Sequence, residues 1–208
     1  MGRQRREFVR RGGFRDDALF VIASEGAVTE PRYFNGLRER LHTPRIHIHV
    51  LQKDDPTLRS PAHVLGELDR FRSTYTLRDG DQLWLVIDRD AWKPERVSSI
   101  AQECQAKGYF LAVSNPCFEI WLLLHFEDVP NQPEPRRQEL AENAGGLLTS
   151  LVGCQLRPGT DYIDHFLPNL DGAIARAEAL DTRPEDWWPT GLGTHVHRLV
   201  RHWRPGSC

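Results

Sequence analysis

Three short, wholly apolar runs set among stretches of helical periodicity restrict this chain more than any other feature of it. They are residues 18–23 (ALFVIA), 83–87 (LWLVI) and 109–113 (YFLAV). Each is of strand length and lacks polar alternation, which predicts strands covered on both faces. The first stops at Ser24-Glu25-Gly26 and the second at Asp88-Arg89-Asp90. Helix signals lie between them. Thr29-Glu30-Pro31 combines a capping hydroxyl, an early acid and an early proline, and Tyr33, Phe34, Leu37 and Leu41 follow at helical spacing. Ser60-Pro61 opens a segment carrying Val64, Leu65, Leu68 and Phe71; Pro94 opens another, with Val97, Ile100, Ala101 and Cys104 in one stripe before Gly108. Residues 45–51 alternate, with Ile46, Ile48 and Val50 on one side and His47 and His49 on the other. Asn115-Pro116 starts an apolar helix over 118–126. Such alternation predicts an α/β domain over 17–128: a mostly parallel sheet with helices on both faces.

Residues 129–135 (VPNQPEP) interrupt the rhythm with three prolines and form a candidate linker. Beyond it, 138–151, 171–180 and 194–203 read as helices, a helical C-terminal region (136–208) packed on the domain. Trp187, Trp188 and Trp203 could equally cover a core edge. With 208 residues the chain can bury one good core. No apolar run approaches the length of a membrane span, and no apolar stretch of signal-peptide type follows the basic start. Four cysteines without C-x-x-C spacing argue against a zinc ribbon or a disulfide framework, so a reducing cytoplasm is expected. The net charge of −2 excludes a protein that is basic all over. Arg3, Arg5, Arg6, Arg10, Arg11 and Arg15 nevertheless crowd the first segment (1–16). They read either as a flexible, solvated tail or as a grip for phosphates.

In parallel α/β sheets ligands collect beyond the carboxyl ends of the strands, and here those ends carry Glu25, Asp88 and Asp90. In an extended D-x-D both carboxylates point the same way and repel, so one takes a proton or a cation neutralises both. A hard divalent ion, Mg²⁺ or Mn²⁺, answers that problem and can drive phosphodiester chemistry. Glu25 would complete the coordination or act as general base. Turn capping by the aspartates is the plain alternative. Glu30 is an auxiliary candidate, since an acid in a first helical turn also suits the macrodipole. His47-x-His49 lacks an evident third metal ligand. His195-x-His197 falls in a predicted helix start, where that spacing does not put both rings on one face. There is no G-x-S-x-G elbow and no phosphate-binding G-x-x-x-x-G-K-[ST], so an energy-driven step would need a separate ATPase.

Three stretches resemble the RloB-like family and, through it, the Toprim fold, a Rossmann-like architecture. They are Ser24-Glu25-Gly26 with Thr29-Glu30-Pro31-Arg32-Tyr33-Phe34, then Val86-Ile87-Asp88-Arg89-Asp90, then Ser114-Asn115-Pro116-Cys117-Phe118-Glu119-Ile120-Trp121-Leu122. A weaker likeness covers Ala173-Ile174-Ala175-Arg176-Ala177 and residues 194–200. The resemblance implies a Toprim-like domain in which Glu25, Asp88 and Asp90 handle divalent metal for phosphoryl transfer. Glu119 is then a further catalytic acid, and Asn115 either caps the following helix or touches substrate. It also implies a role in bacterial anti-phage or restriction loci, often beside an ATPase partner. Relatives place a basic residue in the region corresponding to 161–165, where this chain offers only His165. Either His165 substitutes, or the grip on nucleic acid lies in the N-terminal arginines, with Arg89 a further contact candidate.

The sequence thus points to a metal-dependent nuclease acting on DNA or RNA, with homo-oligomerisation open. The rival reading is a non-catalytic regulatory or binding subunit of a defence ATPase complex.

Overall fold

The computed structural model describes residues 5–9, 17–41, 45–52, 60–90, 92–152 and 163–203. In chain order the elements are β1 (Arg6–Glu7), β2 (Ala18–Ser24), α1 (Thr29–Arg40), β3 (Ile46–Val50), α2 (Pro61–Thr74), β4 (Tyr75–Thr76), β5 (Gln82–Asp88), α3 (Pro94–Lys107) and β6 (Phe110–Asn115). There follow α4 (Glu119–Leu123), α5 (Glu134–Val152), α6 (Ile163–Phe166), α7 (Leu170–Leu180), β7 (Gly193–Thr194) and α8 (Val196–Val200). The main sheet has the strand order β3-β2-β5-β6-β7. Its first four strands pair in parallel, and β7 adds an antiparallel edge, so this α/β sheet is mixed.

Side-chain alternation divides the core into two layers. Phe20, Ile22, Trp84, Val86 and Ala112 face α1 and the helices from α4 onward. Leu19, Val21, Ala23, Leu83, Leu85, Ile87 and Val113 face α2 and α3. The apolar runs lack alternation because both faces are covered. Local signals fix several ends. The Ser60 hydroxyl accepts from the His63 amide at the start of α2, and Gly108 ends α3 with φ of 70°.

Several expectations need correction. At α1 the cap position is Val28, without a side-chain cap bond; Thr29 is the first helical residue. The apolar helix expected over 118–126 contains only α4 as regular helix, followed by turns. The helix expected over 194–203 begins instead with β7. His195 N donates to Val113 O at 2.9 Å, so this segment completes the open edge of β6 before α8 forms. Edge completion outweighs local propensity here. The proline-rich segment holds a 3₁₀ turn, Val129–Asn131, with Val129 fully buried. The C-terminal helices accordingly share one core with the sheet: Leu140, Ala173, Leu199 and Trp203 belong to the same apolar cluster as Phe20 and Phe34.

Within the basic first segment, β1 pairs with β4, and Phe8 packs on Phe71, Tyr75, His47 and His49 with ring centroids 4.9–5.7 Å apart. Arg3, Arg10, Arg11 and Arg15 lie outside the described residues. Among the described residues, no helix is long and apolar enough to cross a membrane.

Candidate active site

The winding of the sheet selects one crevice. From β2 the chain reaches β3 through α1 on one face. It then crosses by α2 on the other face to β5, on the opposite side of β2. The carboxyl ends of β2 and β5 therefore flank a point where the winding reverses, the usual ligand position in such sheets. Glu25 follows β2 and Asp88 ends β5.

Glu25 is buried and held at both oxygens. Oε2 accepts from the Asp88 amide at 3.2 Å, and Oε1 from the Trp92 indole N–H at 2.9 Å. Its own amide donates to Val86 O at 2.9 Å, continuing the β2–β5 ladder. Glu30, also buried, folds back over the turn, its Oε1 accepting from the Gly26 amide at 2.8 Å. A Cβ on Gly26 would stand 1.9 Å from a Glu30 carboxylate oxygen. A larger residue there would displace the Glu30 carboxylate from the Gly26 amide.

Asp88 is the electrostatic centre. Burial and then the negative charges of Glu30, Glu119, Glu25 and Asp90, in that order, push its carboxyl up to about 9. Glu30, placed second by the sequence reading, is thus the strongest charged neighbour. Asp90 contributes least, because the chain leaves the strand after Asp88. The amides of Arg89 and Asp90 both donate to Pro116 O, at 3.0 and 3.1 Å, and Asp90 is exposed. The extended geometry that would aim both aspartates alike does not continue through this bend. Glu119 opens α4. The Cys117 thiol is pushed up by burial, then by Glu119 and by Asp88, which places these groups together and disfavours a thiolate.

Most of the other candidates are elsewhere. The Asn115 amide donates to Pro189 O at 2.9 Å, holding the loop before β7 rather than capping α4. Arg89 lies beside the acids, its guanidinium donating to the Trp92 carbonyl. Arg6 pairs with Tyr75, and Glu7 reaches Arg78 at 3.8 Å, where β5 begins. His165 is exposed in α6, and its neighbour Asp164 pairs with Arg40 at 2.8 Å. Arg40 ends the helix that Glu30 begins, about 15 Å away along its axis.

Sequence reasoning missed Trp92, Ser114 and Thr194. Ser114 is paired in register with Asp88, and its hydroxyl bonds that of Thr194 at 2.8 Å. Ser114 and Thr194 fall within the family-like stretches and Trp92 in none, but no local pattern gives their partners, because each partnership spans a long stretch of chain.

Among the described residues, no three His, Cys, Asp or Glu side chains stand close enough to cage a metal ion unaided. Glu25 and Glu30 are instead turned to N–H donors. The donor set still suits a hard cation, being all carboxylate with Asp88 uncompensated. Mg²⁺ commonly uses only one or two carboxylates, with waters and substrate phosphate completing its shell.

Fold and site together define an α/β protein with carboxylates gathered at the switch point of its sheet. Within that class, the chain belongs to the RloB-like family, whose model, described as RloB-like protein, matches residues 20–202. No curated protein and no solved structure matches the chain.

Proposed function

We propose that the acid cluster binds Mg²⁺ or Mn²⁺ and hydrolyses phosphodiester bonds of DNA or RNA, as a Toprim-type nuclease. One observation carries this reading: Asp88 sits at the sheet's switch point among four other carboxylates, with its charge strongly disfavoured. Enclosed like charges are tolerable at neutral pH only with a proton or a cation. A divalent cation bound there would polarise the phosphoryl oxygen and lower the pKa of an attacking water. Asp88 and Asp90 offer oxygens at the mouth of the crevice. Glu25, oriented by Trp92 and the Asp88 amide, either joins them or accepts the proton of the water. Glu119 and Glu30 add negative charge that favours cation entry. The family likeness supports a role in anti-phage defence, with an ATPase as a partner.

The test is cleavage of single- and double-stranded DNA and of RNA in Mg²⁺ or Mn²⁺, with Glu25→Gln and Asp88→Asn as controls. Both variants are expected to lose at least about a hundredfold in rate, more than loss of an outer-shell partner to a metal costs. Cleavage that survives both substitutions places the activity elsewhere. Absence of Mg²⁺ binding in titration calorimetry, together with stable co-purification of an ATPase, favours the non-catalytic subunit.

A further inference from the structure

A cavity of about 450 Å³ lies between the end of α7, the loop leading to β7 and the start of α5. Arg137, Thr182, Arg183, Trp188 and Thr190 line it, with Asp181 in its wall. Its charge balance is readable group by group. Asp181 is matched by Arg198, whose Nη2 donates to it at 2.7 Å. Asp186 faces Arg183 at 4.0 Å. Arg137 has no carboxylate partner among the described residues, and its Nε is buried without a hydrogen-bond acceptor. A buried guanidinium N–H left without an acceptor is costly, and an incoming anion relieves that cost.

Position gives the cavity its meaning. Pro189, in its wall, accepts from the Asn115 side chain at the end of β6. That strand is the immediate neighbour of β5, whose last residue is Asp88. Trp188 packs partly against the core and partly lines the cavity, offering a ring on which a base can stack. The volume suits a mononucleotide. Arg137 and Arg183 together supply a cation grip for a phosphate in this cavity.

We propose that this cavity is a nucleotide subsite. Arg137 and Arg183 hold a phosphate while Trp188 stacks on the attached base, and the same strand runs on past the end of β6 to the acid cluster. The inference rests on the phosphodiester reading for the second half of that statement only.

The test uses the full chain and a fluorescein-labelled eight-nucleotide single strand, as DNA and as RNA, in EDTA so that nothing is cut. Anisotropy is expected to report binding by the wild type. Arg137→Gln should weaken it about tenfold and reduce the salt slope by about one, with Arg183→Gln acting in the same direction. Adenosine monophosphate should displace the labelled strand, whereas inorganic phosphate alone should displace it only at higher concentration. Mg²⁺ binding by calorimetry should be unchanged in both arginine variants. No strand binding by the wild type, or equal affinity and salt slope in both variants, overturns the subsite. The two readings separate cleanly. Loss of strand binding in Arg137→Gln without any Mg²⁺ binding by the wild type keeps the subsite and removes the nuclease. Intact strand binding in both arginine variants with Mg²⁺ binding lost in Asp88→Asn does the reverse.

Discussion

Asp88 and Asp181 are both largely withdrawn from water, yet their surroundings are opposite in sign. Asp181 receives Arg198 at 2.7 Å, and the rings of His195 and His197 approach it at 3.5 and 3.4 Å. Asp88 is ringed by Glu30, Glu119, Glu25 and Asp90. A withdrawn carboxylate with matched donors holds structure together; here it ties the end of α7 to α8 and, through Thr194, to the sheet. A withdrawn carboxylate among its own kind weakens the fold unless something outside the chain joins it. The comparison gives Asp181 an architectural role and makes Asp88 the position on which the proposed chemistry depends.

Breaking the matched side gives the largest effect on stability. Asp181→Asn leaves Arg198 and two buried imidazoles without their carboxylate and should cost about 3–5 kcal/mol. Thermal unfolding would show this as a fall of roughly 6–20 °C; a change under 2 °C (about 1 kcal/mol or less) would mean that the pairing is ornamental.

The histidines extend the contrast to pH. Burial pushes His125 down to about 4, and it lowers His195 and His197 too, the Arg198 charge adding to the effect on His195. The unfolded chain therefore binds protons that the native state refuses. Stability is full above about pH 6.5 and is lost as pH falls towards the folded values, by up to about 3 kcal/mol for His125. In Asp88→Asn, where the opposing carboxyl is removed, a melting temperature that stays level between pH 7 and 4.5 would contradict this account.

Asp88 has the opposite sign. Its folded value lies above the unfolded one, so in metal-free protein its contribution falls as pH rises from the ordinary carboxyl range through about 9. Asp88→Asn in EDTA should therefore raise stability near pH 8 by about 2 kcal/mol after allowance for its partial exposure, with no gain near pH 3. Equal melting of wild type and variant at pH 8 would remove the electrostatic argument.

The smallest effect sharpens the role of Glu25. Trp92→Phe removes one N–H from its carboxylate and should weaken Mg²⁺ binding about tenfold, leaving the melting temperature nearly unchanged. Calorimetry on the variant decides whether the indole orients Glu25 or merely covers it.

How much of this was legible beforehand differs by residue. The strands around Glu25 and Asp88 were readable, because apolar runs of strand length ending in a turn have few other uses. Glu119 came only from the family likeness, since an acid in an apolar segment has no periodic signature. Asn115 was read as the start of a helix, whereas it ends β6 and its side chain donates to Pro189, which lies far along the chain. His195 and His197 were judged by helical spacing. His195, however, occupies the position before α8 with φ of −95° and ψ of 6°, so that spacing does not apply and both rings reach Asp181.

By itself the sequence determined the α/β layering, the two covered faces and the strand ends that carry acids, because hydrophobic period and turn chemistry act over a few residues. Tertiary structure alone decided that β7 closes the sheet edge, that Glu30 stands nearer in effect to Asp88 than Asp90 does, and that Trp92 holds Glu25. Those outcomes depend on which distant segments share a boundary in space, and the energy of such contacts is not written in any local stretch of chain.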